Sequence, residues 1–207
     1  MNKLSIIGVV ALSLVLITSS FGAQYVLRWD NGVFSGTCHF GKGENTWAGI
    51  DYDTSTLEGS SWRLTKVRAN LGIGSNERWD GMRLAVFDMA GGKPGKIIWP
   101  ENGTPKSVIG YGTVNRYVAT WCEFPVKFDL PSEKFVVALE QHHDDPLCDN
   151  FGLGYGRGFA EQHTWLNYWN SGWDTTGMGV WMLRAVVRST DDSVEPTSMG
   201  RVKALYH

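Results

Sequence analysis

The sequence lacks several features that would define a class of protein at once. Proline supplies only 7 of 207 residues, and no internal repeat or biased tract occurs. Hydrophobic residues make up 43% of the chain. These values exclude collagen-like, low-complexity and strongly disordered classes and indicate a globular protein.

Positively and negatively charged residues occur in nearly equal numbers. The chain has 19 Lys and Arg against 21 Asp and Glu, which gives a formal net charge of -2. A surface without a basic field holds polyanions weakly, so nucleic acid is not an expected partner.

The motifs of common catalytic sites are also missing. No HExxH, Walker loop or EF-hand spacing occurs, and the surroundings of Ser35 and Ser60 lack the glycine spacing of a serine-hydrolase elbow. The 21 acidic residues single out no carboxylate pair for glycoside hydrolysis. We therefore expect a non-catalytic protein, with an unrecognised hydrolase as an alternative.

The one long apolar run stands at the N-terminus. Residues 6–17 follow Lys3 and precede a small-residue stretch that ends at Ala23. This order is typical of a secretory signal peptide, and the run is shorter than the roughly 20 residues of a membrane-spanning helix. We predict a signal peptide over residues 1–23 and a secreted or cell-surface protein with no transmembrane segment after cleavage. A retained signal anchor is the alternative.

Alternation of apolar and polar residues dominates the rest of the chain, and no stretch shows a helical period. This pattern predicts an all-β fold: one antiparallel β-sandwich domain of jelly-roll type over residues 24–188, followed by a linker and short tail over 189–207. The tail is expected to form a short helix. The predicted strands are 25–29, 37–40, 46–52, 62–73, 82–89, 96–99, 117–130, 135–141, 164–169 and 180–188.

Glycine and proline mark one connection in particular. The run Gly91-Gly92-Lys93-Pro94-Gly95 combines a fixed φ at proline with freedom for positive φ at glycine. It predicts a tight, exposed type II turn.

Only three cysteines occur, which leaves at least one unpaired in an oxidising compartment. Cys122 lies in a predicted strand and Cys148 in the loop after the next strand, so we favour that pair, with Cys38 free or in an intermolecular bond. Other pairings, or three buried thiols, stay open.

A loop rich in acidic residues follows the strand 135–141. Oxygen ligands for Ca²⁺ are offered by Asp144, Asp145, Asp149 and Asn150, so a calcium ion is the one candidate cofactor. The alternative is a solvated turn in which the aspartates cap backbone N–H groups. Adjacent histidines 142 and 143 would point to opposite faces, which disfavours zinc.

Aromatic residues concentrate near the C-terminal end of the domain. They follow a segment, 151–159, with glycine at every second position, where a ligand or another backbone could approach closely. Exposed rings there could stack on sugar rings, whereas buried ones would fill the space between sheets. The candidate platform residues are Tyr155, Trp165, Tyr168, Trp169 and Trp173.

The order of four weak motifs resembles an uncharacterised β-sandwich module of exported bacterial proteins, which often carry surface-sorting tails. The motifs are Trp29-Asp30-Asn31-Gly32, Lys93-Pro94-Gly95, Glu140-Gln141 and Leu183-Arg184-Ala185-Val186. The likeness covers about residues 25–188 and implies export and a β-sandwich, without a catalytic residue.

Together these observations predict a protein that binds carbohydrate or another surface component through its Trp-rich segment. The alternative is a structural subunit that self-assembles by strand addition, with residues 25–29 as the donated strand.

Overall fold

The computed structural model describes residues 23–38, 46–73, 78–111, 120–141, 151–156, 161–177, 179–191 and 203–205. The predicted signal peptide up to residue 22 and the acidic loop 142–150 lie outside these ranges. None of the described residues belongs to a helix long and apolar enough to cross a membrane.

Within these ranges the chain forms strands, together with two single 3-10 turns at Glu161–His163 and Tyr168–Asn170. The all-β prediction is therefore confirmed. The strands are β1 (Gln24–Leu27), β2 (Phe34–Cys38), β3 (Thr46–Asp53), β4 (Trp62–Ile73), β5 (Arg78–Ala90), β6 (Lys93–Trp99), β7 (Lys106–Tyr111), β8 (Thr120–Asp129), β9 (Lys134–Gln141), β10 (Phe151–Gly156), β11 (Thr164–Asn167), β12 (Asp174–Thr175), β13 (Val180–Trp181), β14 (Leu183–Ser189) and β15 (Lys203–Leu205).

Two sheets form a sandwich, and nearly all of their neighbouring strands are antiparallel. The first sheet has the order β13-β10-β4-β14-β1-β15, with β2 beside β10 and β8 beside β4. The second has the order β12-β11-β3-β9-β5-β6, with β7 beside β5. The finer jelly-roll assignment stays a prediction.

The core lies between the two sheets because each strand turns alternate side chains inward. Leu64, Val67 and Leu71 of the first sheet meet Ile50 and Leu139 of the second in one buried cluster.

A smaller cluster covers the opposite face of the second sheet. It is built by Trp47, Phe87 and Val136, with Trp173 packed against it. The second sheet is therefore apolar on both faces, which explains why β9 is buried along its whole apolar length.

The glycine-alternating segment is a structural feature of the first sheet. A Cβ on Gly154 would lie 2.9 Å from the backbone oxygen of Asn70, and one on Gly156 would lie 2.7 Å from that of Val33. Neighbouring backbone, one of the two partners expected for this segment, therefore approaches it closely.

Two local predictions were wrong. The connection between β5 and β6 is tight and exposed, but its positive φ angles fall at Gly91 and Gly92, as in a type I′ hairpin turn, and Pro94 lies inside β6. The tail residues Lys203–Leu205 form a strand instead of a helix, and they pair in parallel with β1.

Candidate functional site

The Trp-rich segment runs along one edge of the second sheet. Its strand β11 pairs antiparallel with β3, which places Trp165 opposite Gly49 and Asn167 opposite Trp47. After Asn167 the chain leaves the sheet in a 3-10 turn and returns as the two-residue strand β12. The turn between β11 and β12 is therefore carried by strands of the sandwich.

Two aromatic side chains of this turn face the solvent. Tyr168 is 41% exposed and Trp169 is 63% exposed. Their ring centroids lie 6.2 Å apart with an interplanar angle of 64°. The two rings are neighbours in an edge-to-face arrangement, and we call this exposed pair the Tyr168–Trp169 platform.

The backbone beneath the platform is strained. Trp169 and Asn170 have φ angles of 51° and 55°, in the left-handed region that residues other than glycine seldom occupy. Each such residue costs on the order of 1 kcal/mol or more, and the surrounding structure has to supply that energy.

Hydrogen bonds from both ends hold this conformation. The buried Asn167 side chain accepts a hydrogen bond at Oδ1 from the backbone N–H of Gly172, at 3.0 Å. The N–H of Ser171 donates to the carbonyl oxygen of Tyr168 at 2.7 Å. The strained turn is thus fixed by the side chain of Asn167, the last residue of β11.

The three other aromatic candidates do not belong to the platform. Trp165 is only 6% exposed and so is not a surface residue. Trp173 is half-buried, with its ring 5.2 Å from that of Phe87. Tyr155 lies in the other sheet and packs against the core.

A polar cluster around Asp51 was not predicted from the sequence. Asp51 lies on the outer face of β3, since its neighbours Ile50 and Tyr52 enter the core. Its Oδ1 accepts a hydrogen bond from Trp165 Nε1 at 2.7 Å, and its Oδ2 lies 2.8 Å from Nδ1 of His163. Its backbone oxygen accepts a hydrogen bond from Trp29 Nε1 at 2.7 Å.

The same cluster contains a stacked pair of rings. Trp29 and His163 are nearly parallel, at an interplanar angle of 6°, with centroids 3.8 Å apart. His163 could be noticed in the sequence only as one member of the aromatic stretch, and nothing local pointed to Asp51 or Trp29 as its partners.

Two of the four resemblance motifs meet in the structure. Arg184 binds Asp30 through both carboxylate oxygens, with Nε 2.9 Å from Oδ2. The guanidinium also lies 3.9 Å from the ring centroid of Trp121. Asp30 is fully buried, so the two motifs together contribute an internal ion pair.

The calcium candidates Asp144, Asp145, Asp149 and Asn150 lie outside the described residues. Within the part of the chain that the structure describes, no group of three or more His, Cys, Asp or Glu side chains could hold a metal ion.

Cys38 and Cys122 are free thiols in the structure, so the predicted Cys122–Cys148 disulfide is not formed there. Cys148 itself lies outside the described residues. Burial raises the pKa of both the Cys38 and the Cys122 thiol, which lowers their reactivity near neutral pH.

Comparison of the chain with protein-family models, curated proteins and solved structures finds no match.

Proposed function

We propose that this protein is an exported, non-catalytic binding protein that recognises carbohydrate through the Tyr168–Trp169 platform. The observation that carries the proposal is a pair of exposed aromatic rings on a strained turn. Sugar rings present an apolar face edged by hydroxyl groups, and flat aromatic side chains stack on that face.

Stability alone gives no reason for this arrangement. An exposed indole leaves much of its apolar surface in water, and positive φ at Trp169 and Asn170 adds backbone strain. Strain of this kind is concentrated at ligand-contacting sites of proteins. A binding role explains why the fold holds the rings outward instead of burying them.

The expected affinity is modest. Each stacked ring contributes about 1 kcal/mol, so two rings support weak binding that several copies on one surface would strengthen. A polymeric glycan of a cell surface is therefore a better ligand class than a free monosaccharide.

The test measures retention of the mature protein by a panel of immobilised polysaccharides and a broad glycan array. Replacing Trp169 by Ala should weaken binding by about five- to tenfold, the loss of one stacked ring. The matched control is Val33→Ala, which trims another exposed apolar side chain, 61% exposed, away from the platform. It should leave binding and melting temperature unchanged.

Two outcomes contradict the proposal. One is a wild-type protein that no glycan retains. The other is a Trp169→Ala protein that binds as the wild type does.

Self-assembly by strand addition is the second candidate, and the pairing of β15 favours it. The strand expected to be donated, residues 25–29, is not free, because Tyr25, Val26 and Leu27 pair with β14 on one side and β15 on the other. The mobile partner in such an assembly would be the tail strand, since the edge of β1 accepts Lys203–Leu205.

A pair of engineered cysteines at register partners distinguishes a tail that pairs with β1 of another copy from a tail that pairs with β1 of its own chain. Val26 lies opposite Ala204, so Val26→Cys and Ala204→Cys, in a chain whose native cysteines are serine, should cross-link. A covalent dimer or ladder would support assembly. A cross-linked monomer would show that each tail pairs with its own β1.

A further inference from the structure

A cavity opens where β1 and β3 end, beside the Asp51 cluster. Its volume is about 200 Å³. Its wall is predominantly apolar. The lining residues are Leu27, Arg28, Trp29, Tyr52, Asp53, Thr56 and His163.

The hydroxyl of Tyr52 is not available to a ligand in this cavity. It donates a hydrogen bond to the backbone oxygen of Leu183 at 2.7 Å, and burial raises the pKa of this phenol well above its ordinary value. Tyr52 therefore presents only its ring.

Asp51 determines which nitrogen of His163 remains as a hydrogen-bond acceptor. A carboxylate only accepts hydrogen bonds, so in the neutral imidazole the proton resides on Nδ1, which lies 2.8 Å from Asp51 Oδ2. The second nitrogen, Nε2, then carries a lone pair. Among the described residues no hydrogen-bond donor reaches it.

The stack with Trp29 fixes the plane of the imidazole. One face of the ring lies against the indole, with centroids 3.8 Å apart, and Nδ1 is held by the carboxylate. His163 is thus immobilised in one tautomer and one orientation. Such preparation of a single acceptor is typical of a ligand site.

We propose that this cavity binds a small aromatic ring that carries one hydrogen-bond donor, a ligand of the phenol class, with His163 Nε2 as the acceptor. A dry apolar cavity of about 150 Å³ accommodates benzene, so the present volume holds a monosubstituted ring. The apolar wall disfavours a sugar, whose several hydroxyl groups would lose their hydration without replacement.

This site is separate from the Tyr168–Trp169 platform. His163 precedes β11 and Tyr168 follows it, so the two sites lie at opposite ends of that strand. The cavity proposal does not depend on carbohydrate binding.

The experiment compares three probes of similar size by ligand-observed NMR titration at a mildly alkaline pH. The probes are phenol, which donates a hydrogen bond, benzonitrile, which only accepts one, and toluene, which does neither. Phenol should bind the wild type about five- to tenfold more tightly than toluene, the worth of one hydrogen bond. Benzonitrile should bind no better than toluene.

The substitution Asp51→Asn reverses the direction of the hydrogen bond to His163 Nδ1 and keeps the shape of the side chain. The amide oxygen can still accept from Trp165 Nε1, while the amide nitrogen donates to His163 Nδ1 and moves the imidazole proton to Nε2. Benzonitrile should then bind more tightly than phenol. A residue that only supported the fold would not exchange the order of two ligands.

The matched control is Asp53→Asn, which removes a carboxylate that lines the same cavity and accepts a hydrogen bond from the Ser55 N–H. It should leave phenol preferred, and so should Trp169→Ala. If Asp51→Asn does not fold, His163→Phe keeps a flat ring against Trp29 and should make phenol and toluene equal. Absence of saturable binding to the wild type, or an unchanged order of probes in the folded variant, would overturn the proposal.

Discussion

Two tryptophans show how strongly position decides the role of a residue. Trp181 is 1% exposed and donates its Nε1 hydrogen to the backbone oxygen of Trp165 at 3.1 Å. Trp169 is 63% exposed and sits on left-handed backbone. Trp181 fills the space between the sheets and stabilises the fold, whereas Trp169 adds backbone strain and exposed apolar surface.

Truncation of these two residues should therefore change stability to very different extents. Trp181→Ala leaves a large cavity and is expected to cost about 3 to 5 kcal/mol of unfolding free energy. Trp169→Gly should change that free energy by less than about 1 kcal/mol, because glycine adopts positive φ without strain. Chemical denaturation measures both values. A large loss of stability in Trp169→Gly would show that the ring is structural.

The buried ion pair between Asp30 and Arg184 is a second case in which single residues determine stability. Asp30 is 0% exposed and also accepts a hydrogen bond from the N–H of Gly32 at 2.9 Å. Its partner Arg184 is 11% exposed at the side chain. Removing one charge leaves the other buried without compensation.

We expect Asp30→Ala to lower the unfolding free energy by about 3 to 5 kcal/mol. Asn31→Ala is the control, because Asn31 accepts the equivalent hydrogen bond from the N–H of Val33 at 2.9 Å in an exposed position. That change should cost about 1 kcal/mol or less. Equal effects of the two substitutions, measured by urea denaturation, would contradict a structural role for the ion pair.

At the level of the elements, strands β4 and β8 carry a set of exposed charge pairs. Register places Arg63 opposite Asp129 and Arg68 opposite Glu123. Arg63 Nε lies 2.5 Å from Asp129, and Lys66 Nζ lies 2.6 Å from Glu123. The outward faces of the two strands are therefore complementary in charge.

These pairs predict how stability depends on pH. The hydrogen bond from Arg63 holds the pKa of Asp129 below its ordinary value, and that from Lys66 does the same for Glu123. A carboxylate whose pKa is lower in the folded state stabilises the fold above its unfolded pKa, near 4, and this contribution is lost as pH falls through the folded pKa.

The advantage of the wild type over Asp129→Asn should therefore be present at neutral pH and vanish at about pH 2. Because the pair is exposed, this advantage should be small. Glu133→Gln is the control, since Glu133 is exposed and forms no ion pair among the described residues. Denaturation curves at both pH values test this, and a pH-independent difference would rule out the ion pair as its cause.

For the whole molecule, the strand order determines which cysteines can meet. Leu153 of β10 lies between Cys38 of β2 and Leu71 of β4, and Cys122 of β8 lies opposite Ala69. Cys38 and Cys122 are thus three strand spacings apart, roughly 14 Å at about 4.8 Å each. A disulfide needs Cα atoms within about 7 Å, so these two cannot be bridged within one chain.

Cys148→Ser should consequently retain two free thiols per monomer after oxidation, with any disulfide confined to covalent dimers. Thiol counting in denaturant, after separation of monomer and dimer, measures this. The Cys38→Ser variant is the control, because it keeps Cys122 and Cys148 and reports on the pairing predicted from the sequence. Loss of both thiols from monomeric Cys148→Ser would refute the strand order of the first sheet.

Local alternation was sufficient to predict the longer strands and their inward faces, whereas β7, β10, β12 and β15 were not among the predicted strands. The prediction for residues 62–73 matches β4, and Val67, Ala69 and Leu71 enter the core as expected. The prediction for 164–169 extended two residues too far, because Tyr168 and Trp169 belong to the 3-10 turn. Period two is a property of each segment alone, so the sequence could show it.

Pairing between distant segments is what the tertiary structure alone decided. His163 meets Asp51 across 112 residues of sequence, because β11 pairs with β3 in one particular register. The same pairing buries Trp165 and leaves Trp169 in solvent, although both lie in one aromatic stretch. By itself the sequence determined an all-β chain in which each strand has a recognisable core face. The register between strands determined which side chains are neighbours. Neighbours across a sheet depend on non-local hydrogen bonding, which no local pattern encodes.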